Sequence, residues 1–199
     1  MEQVISKEEL SKIMKIEGEV RGDGIKSYTE FILIKEGEEG LKRLEEELIT
    51  LGFPIKLGEI KRMSFYPINF WVVFVLSIKR LFNYDDKKFQ EMGGFQVKSS
   101  LIIRVFMKYF FSIDRAVKEL SKVWKQFFSI GKINIIELNK EKKFLSLKLS
   151  NFNVHPISCQ LILGVLMKAV EIVLKGNVSG EETMCVHQGD QHHEFLIKW

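Results

Sequence analysis

The spacing of apolar residues predicts helices over most of the first two thirds of the chain and one more near its end. Leu41, Leu44 and Leu48 recur at the spacing of one helix face. Because glycine often ends a helix, breaks are expected near Gly37 and at Gly93-Gly94. The predicted helices span residues 6–15, 27–34, 38–51, 65–78, 87–92, 97–111, 114–128 and 157–174.

The most apolar of these segments, residues 65–78, raises the question of a membrane span. A spanning helix needs about 20 apolar residues, and this run is shorter and contains Pro67 and Asn69. It is therefore predicted to be a buried helix, with Pro67 in its first turn.

Four short strands are predicted in the last third, where the pattern changes to alternation and to β-branched residues. They span residues 133–138, 144–149, 184–187 and 193–198. Helices followed by a hairpin, a long helix and a second hairpin predict an α+β fold. We expect residues 1–62 to form an N-terminal helical segment and residues 63–199 a ligand-binding domain, together making one unit.

Composition narrows the class of protein. The chain has 199 residues, of which 46% are hydrophobic and 16 are Phe, so it can bury a core and is not disordered. Its net charge is +4 with acidic and basic residues intermixed, which gives no indication of nucleic-acid binding. Two cysteines and no apolar leader after Met1 indicate a cytoplasmic protein.

Both cysteines and all four histidines lie between residues 155 and 193. Two thiols, one carboxylate and one imidazole from this segment could hold a tetrahedral zinc ion, and His187 or His192 could replace the imidazole we prefer. Four protein ligands leave no open position, so a structural zinc is favoured over a catalytic one. The predicted metal ligands are Cys159, Glu182, Cys185 and His193.

The same segment resembles the end of the 4-vinyl-reductase-like ligand-binding domain. Members of that family have a helix opened by Cys, a Glu-x-x-Cys segment, a Gly-Asp turn and a further Cys before a closing strand. This chain has Cys159, Glu182 to Cys185, Gly189-Asp190 and His193 at those positions. The resemblance implies the same four metal ligands, with His193 in place of Cys.

Residues 113–149 resemble the helix and hairpin of haem-nitric-oxide-binding domains and of TRAPP-type Golgi-transport subunits. Residues 37–41 and 65–67 resemble bacterial stand-alone proteins of this group. Haem-binding relatives use a helical His and a Tyr-x-Ser-x-Arg motif. This chain has no His before His155 and none of its four tyrosines begins such a motif, so no haem is expected.

Aromatic residues are concentrated in the predicted helices of the middle third. They fill a core or, as the resemblance implies, form a pocket for a small apolar or aromatic ligand. The predicted pocket residues are Phe70, Trp71, Phe106, Phe110 and Trp124.

These observations predict a small-molecule-binding sensory domain that is not an enzyme, because no phosphate-binding glycine loop or G-x-S-x-G sequence is present. A homodimer or a partner protein would receive the signal, without nucleic acid or a membrane span. One alternative is an adaptor subunit of the TRAPP-like type with a filled core. A second is an accessory protein in tetrapyrrole 4-vinyl reduction.

Overall fold

Seven helices and six strands form the described part of the chain, residues 5–107 and 112–199 of a computed structural model. The helices are α1 (Lys7–Ile13), α2 (Gly22–Thr50), α3 (Ile68–Phe82), α4 (Asp86–Ser99), α5 (Leu101–Met107), α6 (Ile113–Phe127) and α7 (Ile157–Leu174). The strands are β1 (Glu19–Arg21), β2 (Phe65–Pro67), β3 (Lys132–Asn139), β4 (Phe144–Ser150), β5 (Ser179–Met184) and β6 (His193–Lys198). The fold is α+β, as the sequence predicts.

The strands form two antiparallel sheets. β1 pairs with β2, and the larger sheet has the order β3-β4-β6-β5. Leu147 of β4 lies opposite Phe195 of β6, and both side chains are buried. Because alternate residues of a strand face the same side, one face of this sheet is apolar and covers the core. That core also includes residues of α2 and α3. Residues from the predicted N-terminal segment, 1–62, therefore pack together with residues from the predicted domain, 63–199.

Helix α7 is buried between the larger sheet and α4. Its bounds are those predicted from the apolar run. By length and apolarity alone it could cross a membrane, and it is the one described helix that could, but half of it is buried inside the protein. A core helix satisfies the same criteria.

The predicted break at Gly93-Gly94 is wrong, because α4 runs through both glycines. A Cβ atom on Gly93 would overlap the carbonyl oxygen of Leu161, and one on Gly164 would overlap the carbonyl oxygen of Gln90. These glycines therefore allow the backbones of α4 and α7 to approach closely.

The break predicted at Gly37 is present as a kink inside α2, where Gly37 has φ 72° and ψ −173°. The helix before it begins earlier than predicted, at Gly22. The apolar run also differs, because residues 65–67 pair with β1 and helix α3 begins only at Ile68.

The first strand of the C-terminal hairpin lies earlier than the predicted 184–187. β5 covers Ser179–Met184, and residues 186–188 form one turn of 3-10 helix. β5 is an edge strand of mostly polar and charged residues, so it carries no apolar alternation that a sequence pattern could reveal.

A buried ionic network fixes the junction between α4 and α5. The fully buried carboxylate of Asp23 accepts hydrogen bonds from Arg62, at 2.8 Å, and from the Ser100 hydroxyl. The Ser100 oxygen in turn accepts from the backbone N–H of Ile103, at 3.1 Å. The first turn of α5 is thereby held to the start of α2.

Candidate functional site

An apolar cavity of about 90 Å³ lies between α4, α5, α6, α7 and β4. Its described walls are carbon side chains without exception, and α5 covers it with Ile103 and Phe106. Val165 and Leu166 of α7 form the opposite side. Water is not stabilised in such a space, because the walls offer it no hydrogen-bond partners.

A second apolar cavity, of about 70 Å³, adjoins the first. The two share Ile103, Leu120, Val123, Val165 and Leu166 as walls. The polar side chains of the second cavity include Tyr28 and Gln96, and the Tyr28 hydroxyl donates to Gln96 Oε1 at 2.5 Å. Burial raises the pKa of Tyr28 above its ordinary value, so the phenol stays neutral.

The predicted pocket residues lie in different places. Phe106 lines the first cavity, and Trp71 and Trp124 line the second. Phe70 lines neither of these cavities; it packs against Phe53, with ring centroids 5.5 Å apart, on another face of α3. Phe110 lies outside the described residues.

Most walls of the first cavity are aliphatic residues of α6 and α7, which the distribution of aromatic residues in the sequence does not mark. Val165, Leu166, Ala169, Val170 and Val173 of α7 belong to an unbroken apolar run. That run was a signal for burial, but it did not indicate which of its faces meets a cavity.

The structure brings the four predicted metal ligands together, with ligand atoms all within 4.8 Å of one another. The sulfurs of Cys159 and Cys185 are 3.8 Å apart, and Cys159 Sγ is 3.9 Å from His193 Nδ1. Two sulfurs on one tetrahedral ion, each at about 2.3 Å, lie within about 4 Å of each other. The distances therefore suit a single metal ion, with Glu182 as the fourth ligand.

Local structure explains how these side chains converge. Cys159 lies in the first turn of α7, Glu182 on β5 and His193 at the start of β6. The β5–β6 register shifts between Glu182 and Met184, which bends the strand. The backbone N–H of Cys185 then donates to Asp190 Oδ2, at 2.7 Å, within the turn.

His193 is held in an orientation that suits a ligand. Its Nε2 lies 3.0 Å from the carbonyl oxygen of Phe152, so Nε2 carries the hydrogen and donates. Nδ1 then faces Glu182 Oε1 at 2.7 Å. A lone pair and a carboxylate oxygen this close need a proton or a metal ion between them. A metal-bound His commonly donates its other N–H to a carbonyl in this way.

Electrostatics at the cluster oppose bare thiolates. Burial, followed by the Glu182 carboxylate, raises the pKa of Cys159, and burial raises the pKa of Cys185. A helix N-terminus ordinarily favours a thiolate, but at Cys159 burial and the neighbouring carboxylate outweigh it. A positive ion would be needed to hold both thiols in the ionised form.

The other histidines lie close by but outside this set of four. The rings of His187 and His193 are 5.5 Å apart, and His155 and His187 line a polar groove that reaches Cys159 and Cys185. His187 Nε2 and His192 Nδ1 are buried without a hydrogen-bond partner among the described residues. The sequence allowed His187 or His192 as the imidazole ligand in place of His193. In the structure, His193 is the histidine whose ring nitrogen lies near the Cys159 sulfur.

Comparison with known proteins by sequence gives no match, either to protein-family models or to curated proteins. Comparison by structure finds H-NOX proteins. One from S. oneidensis, in the Fe(II)NO ligation state, has a TM-score of 0.69 and 16% identity and covers 89% of this chain and 98% of its own. One from K. algicida, in the Fe(II) unliganded state, has a TM-score of 0.63 and 12% identity, over 89% of this chain and 95% of its own. The chain therefore has the H-NOX fold.

These neighbours change two sequence-based predictions. The resemblance to haem-nitric-oxide-binding domains is confirmed at the level of the fold, whereas the 4-vinyl-reductase-like and TRAPP-type assignments find no support. The cofactor prediction of zinc with no haem is wrong. The solved structures with this fold are H-NOX proteins described in Fe(II) states, and another structural neighbour is described by its haem redox potential.

The described cavity walls offer few side chains that could ligate haem iron. Haem iron is usually held by His, Cys, Met or Tyr. The described walls of the first cavity contain none of these, and Tyr28 is the candidate in the second. All four histidines lie at or after His155, in the part of the chain that contains Cys159, Glu182 and Cys185. The described residues therefore do not form the usual histidine-ligated haem pocket.

Proposed function

We propose that this chain is a small-molecule-binding sensory domain rather than an enzyme, with the two adjoining apolar cavities as its ligand site. The observation that carries the proposal is the predominantly apolar lining of both spaces, with Ile103 of α5 on the wall that they share. The H-NOX fold supports it, because the neighbouring structures hold a small ligand such as NO at iron. The cytoplasmic location expected from the sequence is part of the same proposal.

The size of the cavities suggests the class of ligand. They measure about 90 and 70 Å³ and share walls. An apolar cavity of about 150 Å³ admits benzene or xenon. A small apolar molecule would fit with little rearrangement, whereas a larger one must displace α5. Such a ligand can shift the position of α5 only if it binds one position more tightly than the other.

Filling the shared wall tests this ligand site. Val165 borders both cavities, so Val165→Phe should occupy the space and abolish binding. The matched control is Val105→Phe, the same change at an exposed position of α5. Benzene and indole should raise the thermal midpoint of the native protein and of Val105→Phe, but not of Val165→Phe. An equal rise in all three would place the ligand elsewhere.

Hemin belongs in the same titration because the fold neighbours carry haem. Binding of one equivalent, with a shifted Soret band that Val165→Phe abolishes, would identify the cavity ligand as a tetrapyrrole. Binding that Val165→Phe leaves unchanged would place the tetrapyrrole outside these cavities.

A metal-ion site at Cys159, Glu182, Cys185 and His193 is the second part of the proposal. The convergence of two sulfurs, an imidazole and a carboxylate supports a divalent transition-metal ion of borderline softness. Cobalt(II) is a suitable probe, because its absorption reports thiolate ligation. Cys159→Ser/Cys185→Ser should lose the thiolate band, whereas His192→Gln, next to the cluster, should keep it. A band that survives Cys159→Ser/Cys185→Ser would refute the site.

Self-association stays a prediction of the sequence. A two-fold dimer is the commonest arrangement for a chain that must pass its signal to another subunit. Sedimentation of the purified protein at high concentration tests it, and a monomer throughout would leave a different protein as the partner. The adaptor alternative expects a filled core, which the two cavities do not favour.

A further inference from the structure

A wide groove lies between α2, α4 and α7, on a different side of α4 and α7 from the apolar cavities. Its volume is about 520 Å³. We call it the lysine groove, since Lys35, Lys87, Lys98 and Lys168 stand around it. Ligand pockets and peptide grooves commonly have this size.

The floor of the lysine groove is apolar. Phe31 is buried beneath it, and Phe95 packs edge-on against Phe31 with ring centroids 5.5 Å apart. Gly94 and Gly164, which border the groove, are buried where α4 and α7 pack against each other. Ile34, at the rim, is 66% exposed. A large aliphatic side chain this exposed beside an apolar floor favours contact with another apolar surface.

The charges at the rim are only partly neutralised. Lys35 pairs with Glu91 at 2.7 Å, and Lys168 pairs with Glu171 at 2.5 Å. Lys87 and Lys98 have no acidic partner among the described residues. They lie eleven residues apart on α4, which is about 16 Å along a helix. The groove thus presents two uncompensated positive charges, three helical turns apart, beside an apolar floor.

We propose that the lysine groove is the docking surface for an acidic amphipathic helix of a partner protein. Apolar side chains of that helix would cover Phe95 and Ile34, and carboxylates about three turns apart would pair with Lys87 and Lys98.

A helix fits this groove better than a strand. Its walls are helices α2, α4 and α7, and binding of a strand would need a free sheet edge instead. A helix that lays one apolar face into a groove is a common mode of recognition, with charges at the rim that select the partner. The proposal does not depend on what the apolar cavities bind.

A library of 16-residue amphipathic helices with varied acidic positions provides the probe. Peptides selected on the native protein should bind Lys87→Glu/Lys98→Glu at least ten-fold more weakly. The matched control, Lys125→Glu/Lys132→Glu, makes the same change in net charge at exposed lysines of α6 and β3. It should alter affinity less than two-fold. All four lysines are exposed, so neither variant should change the thermal midpoint.

Ile34→Ser separates the apolar contribution from the charges. We expect a several-fold loss of peptide affinity without loss of stability, because Ile34 is mostly exposed. Failure to enrich any acidic helix, or equal binding to Lys87→Glu/Lys98→Glu, would overturn the proposal.

The other possible occupants give different outcomes. Binding to vesicles of anionic lipid that is lost in Lys87→Glu/Lys98→Glu would assign the groove to a membrane surface and overturn the proposal. Self-association of the native protein that this variant abolishes would assign it to a second copy of the chain, with the same consequence. Neither outcome bears on ligand binding in the cavities, which the Val165→Phe comparison tests separately.

Discussion

At the scale of single residues, backbone hydrogen bonds decide which ring nitrogen of His155 and of His193 carries the hydrogen. The N–H of Ile157 donates to His155 Nδ1 at 3.1 Å, so a neutral His155 carries its hydrogen on Nε2. His193 is the reverse, since its Nε2 donates to the Phe152 carbonyl and the lone pair on its Nδ1 faces Glu182 Oε1 at 2.7 Å. His193 can therefore bind a metal ion through Nδ1, whereas His155 offers a donor to the neighbouring polar groove.

His155 should make stability fall in mild acid. Burial lowers its pKa below the ordinary value, which is about 6.5 in an unfolded chain. Below pH 6.5 the unfolded chain therefore binds a proton that the folded chain does not, and unfolding is favoured. Urea unfolding between pH 7.5 and 5 should show this loss, and His155→Gln should reduce it.

The charged groups around His155 provide the control. Glu9 raises its pKa and so partly opposes burial, while His187, Arg80 and Lys79 lower it further. Glu9→Gln should therefore steepen the loss of stability in acid. The same slope in the native protein, Glu9→Gln and His155→Gln would show that other groups govern the acid response.

At the scale of elements, the crossing of α4 and α7 depends on which glycine faces the partner helix. Gly93→Ala should destabilise the protein by about 1–3 kcal/mol, because its new methyl group would overlap the Leu161 carbonyl. Gly94→Ala places its Cβ 3.4 Å from that of Lys168, which is close to ordinary contact. It should be neutral or stabilising by up to about 1 kcal/mol, because alanine favours helix. Denaturant unfolding of both variants checks the contrast, and equal effects would contradict the observed crossing.

The junction of α4 and α5 depends on the ionic network at Asp23. Arg62→Met should cost about 3–5 kcal/mol, because it leaves the buried Asp23 carboxylate without its cation. Adding Asp23→Asn should recover part of that loss, since the remaining group is neutral and Ser100 can still hydrogen-bond to it. A double variant no more stable than Arg62→Met would argue against the buried charge as the cause. Amide exchange in α5 reports whether the helix itself loosens.

The elements that the sequence predicts well are those with a strong local pattern. The bounds of α7 follow from its apolar run, and the kink at Gly37 follows from glycine alone. The predicted break at Gly93-Gly94 is wrong because glycine here allows close packing against α7. That helix is about 70 positions away in the sequence, so no local pattern shows the contact. The position of β5 was not predicted correctly, because this edge strand has no alternation of apolar and polar residues.

The candidate site divides in the same way. Side-chain chemistry and spacing could predict that Cys159, Glu182, Cys185 and His193 lie together. They could not predict the bend between Glu182 and Cys185 or the Phe152 carbonyl that orients His193. The cavity walls come from eight elements and are mostly aliphatic, so no local pattern marks them. The cofactor prediction failed because the fold persists in the H-NOX proteins at 11–17% identity, beyond what sequence motifs reveal.

At the scale of the whole molecule, helices α4 and α7 separate the apolar cavities from the lysine groove. Val97 of α4 and Val165 of α7 border the first cavity, whereas Lys98 and Met167 border the groove. The two helices are in close backbone contact at Gly93 and Gly164, so they shift as a pair more readily than they separate. A ligand that changes their tilt would therefore change the shape of the groove.

This arrangement predicts coupling between the two sites. Saturating benzene should change the affinity of a selected acidic helix for the lysine groove, and the peptide should change the affinity for benzene by the same factor, because binding linkage is reciprocal. Coupling of 1–3 kcal/mol is typical, which corresponds to about 5–150-fold in affinity. Val165→Phe should bind the peptide but show no response to benzene, whereas Val105→Phe should behave like the native protein. Peptide affinities measured by fluorescence anisotropy, with and without benzene, would decide the matter. A native protein whose peptide affinity does not change with benzene would mean that the cavities and the groove act independently.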